Sequence, residues 1–287
     1  MSFRSDLAVE SVENAQSELA GVETEQTSFG CVKITRIRVL DKRGEEAIGR
    51  PKGSYITVEV PPFTEKAEHF DAVTAIKREL RRLLEGSSGT VLVVGLGNTE
   101  ITPDALGPRT VARILATRHI TGEYARSLGL ESLHSVAAIA PGVLGQTGIE
   151  TSEIIRGIIE RVKPCSLIVI DALASRRLSR LGCTVQMSDS GIAPGAGVGN
   201  ARTEISRATV GIPVIAVGVP TVVDAVTLAS DLTGSECRGE VEPRGAHMIV
   251  TPQEIDLLID RAAETLAHAI NCALQVGVDP EILLELT

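Results

Sequence analysis

The chain has 287 residues, 43% of them hydrophobic and 23% charged, with 27 glycines and 13 prolines. That composition admits a large core and excludes wholesale disorder, collagen-like repeats and low-complexity architectures. A formal net charge of −9 and an aromatic content of only 2%, without any Trp, argue against nucleic-acid phosphates or stacked bases as direct ligands. Five cysteines without a CxxC pair argue against a zinc ribbon or a disulfide framework and favour a reducing interior. The first ten residues, MSFRSDLAVE, lack the apolar run of a secretory signal, and no stretch approaches the ~20 apolar residues that span a bilayer. A soluble intracellular protein with no membrane partner is therefore expected.

Taken in chain order, residues 1–30 are polar and acidic, and read as a mobile arm or a loosely docked helix. Residues 31–39 (CVKITRIRV) alternate apolar and polar, with one irregularity of phase near Thr35 and Arg36, and predict a half-exposed strand. Residues 54–60 (SYITVEV) predict a second, and the turn residues between them suggest a hairpin-like pair. Apolar residues at spacings of three and four predict a helix over 64–84. The texture then changes. Continuous apolar runs at 91–94, 136–140, 167–170 and 214–217 suit strands buried on both faces of a parallel sheet. Helical patterns at 111–117, 149–162, 222–229 and 255–274 alternate with them. This order predicts a three-layer α/β/α sandwich with a mostly parallel sheet, plus an N-terminal strand pair. No linker divides the chain convincingly.

In open α/β sheets, ligands collect at the carboxyl ends of the parallel strands, and three of those ends are unusual here. After 91–94 comes GLGNTEITPDALGP, in which a tight glycine turn precedes Thr102 and Pro103, suited to cap and open a helix, and Asp104 in its first turn. After 167–170 comes Asp171, an acid at a strand tip that needs a partner or a raised pKa. From Ser188 a loop with Asp189 and four glycines, Gly197 among them, is either the lining of a substrate groove or a long turn. Gly95 and Gly97 begin like a dinucleotide fingerprint, but Glu100 stands at the third glycine position, and no Gly-Lys-Ser/Thr follows to make a P-loop. None of the five histidines forms an HExxH zinc motif; His119 and His134 are candidate assistants or simply structural.

Two carboxylates on neighbouring strand ends suggest a catalytic dyad of Asp104 and Asp171. At ~4 Å and an effective dielectric of ~20 their repulsion is about 4 kcal/mol. That is about three pKa units, enough to keep one acid protonated while the other is ionised. The ionised acid can deprotonate a water, and the protonated one can polarise a peptide carbonyl and then serve the leaving amine.

At these residues the chain resembles the germination protease family of spore-forming bacteria. The resemblance is carried by GLGNTEITPDALGP (95–108), APGVLGQTGIETSEII (140–155), VIDALASR (169–176), SDSGIAPGAGVGN (188–200) and GIPVIAVGVPTVVDAVTLASD (211–231). It implies an endopeptidase that starts the degradation of small acid-soluble, DNA-protecting spore proteins at germination, in the forespore and spore core. It also implies a fold similar to that of hydrogenase maturation proteases. Asp104 and Asp171 match the family's proposed catalytic acids, with no metal or cofactor required, and the family resemblance implies a homotetramer.

The resemblance further implies a zymogen that removes a short propeptide. The family's substrate pattern is an acid, a bulky apolar residue, Ala and, two residues on, Glu. Asp6-Leu7-Ala8-Val9-Glu10 fits it, so self-cleavage between Asp6 and Leu7 is expected, dividing the chain into a propeptide, 1–6, and a single α/β peptidase domain, 7–287. Cleavage after an acid calls for a cationic or hydrogen-bonding pocket, and Arg118 and Arg176 are the candidates, each equally suited to the surface. Between Asp231 and Gly245 the chain is shorter than long family members, which puts the assembly that this segment serves in question. The competing readings are a maturation protease that clips one partner protein, such as a hydrogenase subunit, and a non-catalytic nucleotide-binding module.

Overall fold

A computed structural model describes residues 5–15, 19–65, 69–127, 130, 132–195, 202–233 and 248–285. The strands are β1 (Val22–Phe29), β2 (Val32–Val39), β3 (Gly53–Glu59), β4 (Val91–Gly95), β5 (Val136–Ile139), β6 (Ser166–Ser175), β7 (Thr184–Ser188), β8 (Val214–Asp224) and β9 (Ile249–Val250). The helices are α1 (Ala8–Asn14), α2 (Lys42–Ile48), α3 (Phe70–Leu83), α4 (Leu106–Val111), α5 (Gly122–Ser127), α6 (Leu144–Thr147), α7 (Thr151–Val162), α8 (Arg207–Val210), α9 (Ala225–Thr233), α10 (Ile255–Leu274) and α11 (Pro280–Glu285). Short 3₁₀ turns cover Thr102–Asp104 and Leu178–Arg180.

All nine strands join one mixed sheet in the order β1-β2-β3-β7-β8-β6-β4-β5, with β9 paired to β8. The half β8-β6-β4-β5 is parallel. Its strands are the continuous Val/Ile/Leu runs of the sequence, covered on both faces as such runs require. The N-terminal strands continue the same sheet antiparallel through β7. One face packs on α3, α4 and α10, where Ile76, Leu80, Leu106, Ile259 and Leu266 meet Val91, Val93, Ile168 and Ile170. The other is covered by α7, whose Ile155 meets Leu92, Val94, Leu167 and Val169, and by α1, over Ile37, Tyr55 and Leu173. Three layers result, as the alternation of runs and helical patterns predicted.

Several boundaries differ from the expectation, each for a local reason. Of the two alternatives for the N-terminal segment, residues 8–14 take the helix, and it is docked tightly, with Leu7 and Ala8 fully buried. Residues 22–29, included in that segment, form β1. The phase irregularity at Thr35 is no bulge: β2 pairs without a break on both sides, and Thr35 is buried because both faces are covered there. The strand pair encloses α2, capped by Asp41, whose carboxylate accepts from the N–H groups of Arg43 and Gly44. The helix expected over 64–84 begins only at Phe70. Phe63 is buried and its carbonyl accepts from Arg261, which fixes the preceding chain as a turn. The helix expected over 111–117 lies instead at Leu106–Val111, ending where it was to begin. In the stretch 222–229, Val222 to Asp224 still belong to β8, and the helix starts at Ala225.

Candidate active site

The sheet's asymmetry builds a cleft. β4 ends at Gly95, whereas β6 and β8 run on to Ser175 and Asp224, so the chain leaving β4 folds back against the exposed flank of β6. Leu96 N–H donates to Ile170 O (2.8 Å), and the 3₁₀ turn that ends in Asp104 stacks on this edge. Gly97 makes the fold-back possible. Its φ is +115°, and a Cβ there would strike the carbonyl oxygen of Asp104. Thr102, expected to cap the turn, is its first residue with no side-chain cap, and Pro103, expected at the first position, is its second. A register shift between Leu173 and Ala174 in the β6–β8 pairing leaves Thr221 of β8 as an extra residue. Its hydroxyl donates to Pro103 O (2.8 Å) and ties the turn down.

Asp104 and Asp171 line one cavity of about 480 Å³, together with Asp6, Leu144, Thr151 and Arg202. Asp171 is 6% exposed. Its Oδ1 accepts from Ala172 N–H (3.0 Å). Burial, then the charges of Asp104 and Asp6, hold its pKa well above the ordinary 3.8. Asp104 is less deeply placed. Burial raises its pKa, while the N–H of Asn98, 2.8 Å from Oδ2, favours the carboxylate. The two acids thus differ in the direction dyad chemistry needs, with burial ahead of mutual repulsion as the cause. That same Asn98 bond commits an amide of the glycine turn to Asp104, so a nucleotide phosphate would meet carboxylates where the fingerprint reading needs donors.

The N-terminal segment lies across this cleft. Asp6 N–H donates to Ala174 O (2.9 Å), and Ala174 N–H donates to the Asp6 carboxylate (2.8 Å). Gln186 of β7 grips the next peptides: its amide nitrogen donates to Asp6 O and its oxygen accepts from Ala8 N–H, both at 2.6 Å. Leu7 is fully buried with Ile37, Val39 and Leu173. Glu10, 1% exposed, accepts from the N–H groups of Arg176 (2.8 Å) and Arg177 (3.0 Å), from the Arg180 guanidinium (3.4 Å) and from Ser5 Oγ.

The other predicted residues fare differently. Arg118 is exposed, and its N–H donates to Val136 O, the first residue of β5, which places it at the opposite end of the sheet. His119 is its exposed neighbour, and His134 packs its backbone on Gln275 at that same end, so neither reaches the cleft. Arg176 holds the N-terminal helix through Glu10 and Asn14 and does not line the cavity. Asp189 is exposed and accepts from Ser54 N–H (2.6 Å) away from it. Gly197 and most of the shortened 232–244 stretch lie outside the described residues. Among the described residues, the cation that does line the cavity is Arg202, paired with Glu150 at its rim. Sequence reasoning missed Gln186, Arg180 and Arg202. Among the described residues no group of three His, Cys, Asp or Glu is arranged to hold a metal ion, and no helix is long and apolar enough to cross a membrane.

Comparison with known proteins bears on this geometry. A family model described as germination protease matches residues 4–234. A germination protease of Caldanaerobacter subterraneus is 45% identical, covering 97% of this chain and 96% of the relative. One from Clostridium tetani is 41% identical over 98% of each chain, and one from Priestia megaterium 37% identical over 98% of this chain and 95% of its own. Among solved structures, the [NiFe] hydrogenase maturation protease HycI from Thermococcus kodakarensis matches with a TM-score of 0.38 and 17% identity, covering 67% of this chain and 98% of its own.

Proposed function

The chain belongs to the germination protease family, a peptidase of spore germination, and from that premise we propose an aspartic-type endopeptidase that cleaves after acidic residues and processes itself between Asp6 and Leu7. One observation carries the reading. The cavity holding the two acids of unequal character also holds Asp6, the acid before the expected cut. Asp104 is the base, because it is the less strongly raised of the pair and its carboxylate is supported by a backbone N–H. Asp171 holds the proton, because burial and two neighbouring acids disfavour its charge. Asp104 takes a proton from water, and the water oxygen bonds to the carbonyl carbon of the acidic residue. The Asp171 proton goes to the carbonyl oxygen. On collapse the C–N bond breaks, the proton on Asp104 passes to the departing amine, and one hydroxyl proton of the tetrahedral carbon returns to Asp171, so that a carboxylic acid is released and both aspartates regain their starting states.

The substrates proposed are small acid-soluble spore proteins met in the forespore or spore core, and the assembly a homotetramer; family membership alone supports these. The test is incubation of the full chain and of a spore-protein substrate with wild type, Asp104→Asn and Asp171→Asn. Both variants are expected to lose at least about 10³-fold in both cleavages. Near-normal turnover by either would remove that acid from the mechanism. Unchanged rates in a chelator are expected as well, and loss of activity there would replace the dyad with metal-assisted hydrolysis.

A further inference from the structure

We propose that Gln186 is the residue that positions the peptide to be cut, an inference that rests on the self-processing reading above. Strand register supplies the first argument. Gln186 pairs with Gly218, and Gly218 pairs with Asp171, so Gln186, Gly218 and Asp171 form one row across β7, β8 and β6. Directly paired residues share a face of the sheet, and two strand spacings separate the outer pair by roughly 10 Å. The row has a bare centre. A Cβ at Gly218 would come within 2.6 Å of Asp171 O and of Leu173 Cγ, so that position carries no side chain between the glutamine and the acid.

Hydrogen bonding supplies the second argument. A carboxamide offers a donor and an acceptor on one planar group, and here both are used on one backbone stretch. The nitrogen donates to the carbonyl of Asp6, which is the carbonyl of the bond to be broken, and the oxygen accepts from Ala8 N–H. Leu7 is held between these two contacts with its side chain buried. Gln186 therefore fixes the peptide plane on the acid side of the cut and the chain direction beyond it, and its N–H polarises the carbonyl toward the attacking water. A substrate in trans meets the same glutamine once residues 7–10 leave it.

The test uses the full chain and follows removal of residues 1–6 by intact mass. Ala8→Pro deletes the N–H that Gln186 accepts and sets the ring's Cδ against the Gln186 oxygen, a change that bears on processing through Gln186. Position 8 opens a helix, where Pro is favoured, and Leu7 is already extended at φ −85°, ψ 121°, as a residue before Pro must be. Ala8→Pro is expected to slow wild-type processing about tenfold, and Gln186→Ala on the order of 10²-fold. The double variant is expected to be no slower than Gln186→Ala alone. Gln186→Glu keeps an acceptor for Ala8 and loses the donor to Asp6 O, so its processing must also slow, which guards against a Gln186→Ala chain that fails to fold. Wild-type speed in Gln186→Glu, or Ala8→Pro and Gln186→Ala penalties that multiply, would overturn the assignment and leave the dyad standing. A wild-type chain that keeps residues 1–6 would overturn the self-processing reading and this inference with it.

Discussion

Glu79 and Asp171 are carboxylates with almost no exposed surface, at 0% and 6%, on opposite faces of the same sheet. On the α3 face, Glu79 receives two hydrogen bonds from Arg36, at 2.9 and 2.7 Å, with Arg78 and Arg82 at its rim. Burial alone would raise its pKa, but the guanidinium groups outweigh burial and hold it below 4.5. On the α7 face, Asp171 has no guanidinium within bonding distance among the described residues, and its nearest charges are two more acids. Glu10, nearby at the N-terminal helix, is again supplied with an arginine. The molecule neutralises buried acids where they join elements together and, among the described residues, bonds no guanidinium to either acid of the cleft pair, which is the arrangement a shared proton requires.

This contrast can be broken in order of size. The largest expected effect separates function from structure: Asp171→Asn loses at least about 10³-fold in self-cleavage, whereas Glu79→Gln leaves the cleavage rate of the folded chain unchanged. Intact-mass time courses of both variants decide it. Next, Arg36→Ala leaves a buried carboxylate without its main partner, and a loss of about 3 kcal/mol is expected in denaturant unfolding.

The two acids also predict opposite slopes of stability with pH. Asp171 has a folded pKa above its unfolded value near 3.8, so the folded chain binds the extra proton, and its contribution falls as pH rises from there through the raised pKa. Asp171→Asn is therefore expected to melt higher than wild type at neutral pH, with the gap closing toward pH 4. Glu79 has a folded pKa below 4.5, so its contribution is present above that value and is lost as pH falls through the folded pKa. Melting curves of the two variants against pH would merge the cases if the slopes agreed. The smallest effect is at the surface. Arg38 and Glu23 are both mostly exposed at 3.5 Å, and Arg38→Ala is expected to change stability by less than about 0.5 kcal/mol.

The legibility of the sequence follows the same physical division. β4, β5 and the first halves of β6 and β8 were readable because burial on both faces demands unbroken apolar runs. β1 (VETEQTSF) was not, because an edge strand exposed over most of its length carries no hydrophobic period. β7 (TVQMS) was hidden by buried polar residues whose partners lie in distant segments. The far halves of β6 and β8 turn small and polar where they form the cleft, so Val222 and Val223 looked helical. Asp171 stands out as an acid ending an apolar run, Asp104 as the acid in the first turn after the glycine-rich segment, and Asp6 through its motif. Gln186 gave no such signal, because its partners, Asp6 and Ala8, lie about 180 residues away and only the sheet brings them together. Arg118 and Arg176 follow the two acids in sequence, but the first bonds to the start of β5 at the opposite end of the sheet and the second holds the N-terminal helix.

The register shift at Ala174 bears on the proposed self-processing. Its N–H and C=O are both engaged by Asp6, one by the side chain and one by the main chain. Under the proposed self-cleavage, clipping after that aspartate would release both and uncover a socket that takes one carboxylate and one main-chain amide. Recognition at that socket would then turn on an acid carried by an extended strand, with the Leu7 and Glu10 contacts adding the rest of the selection.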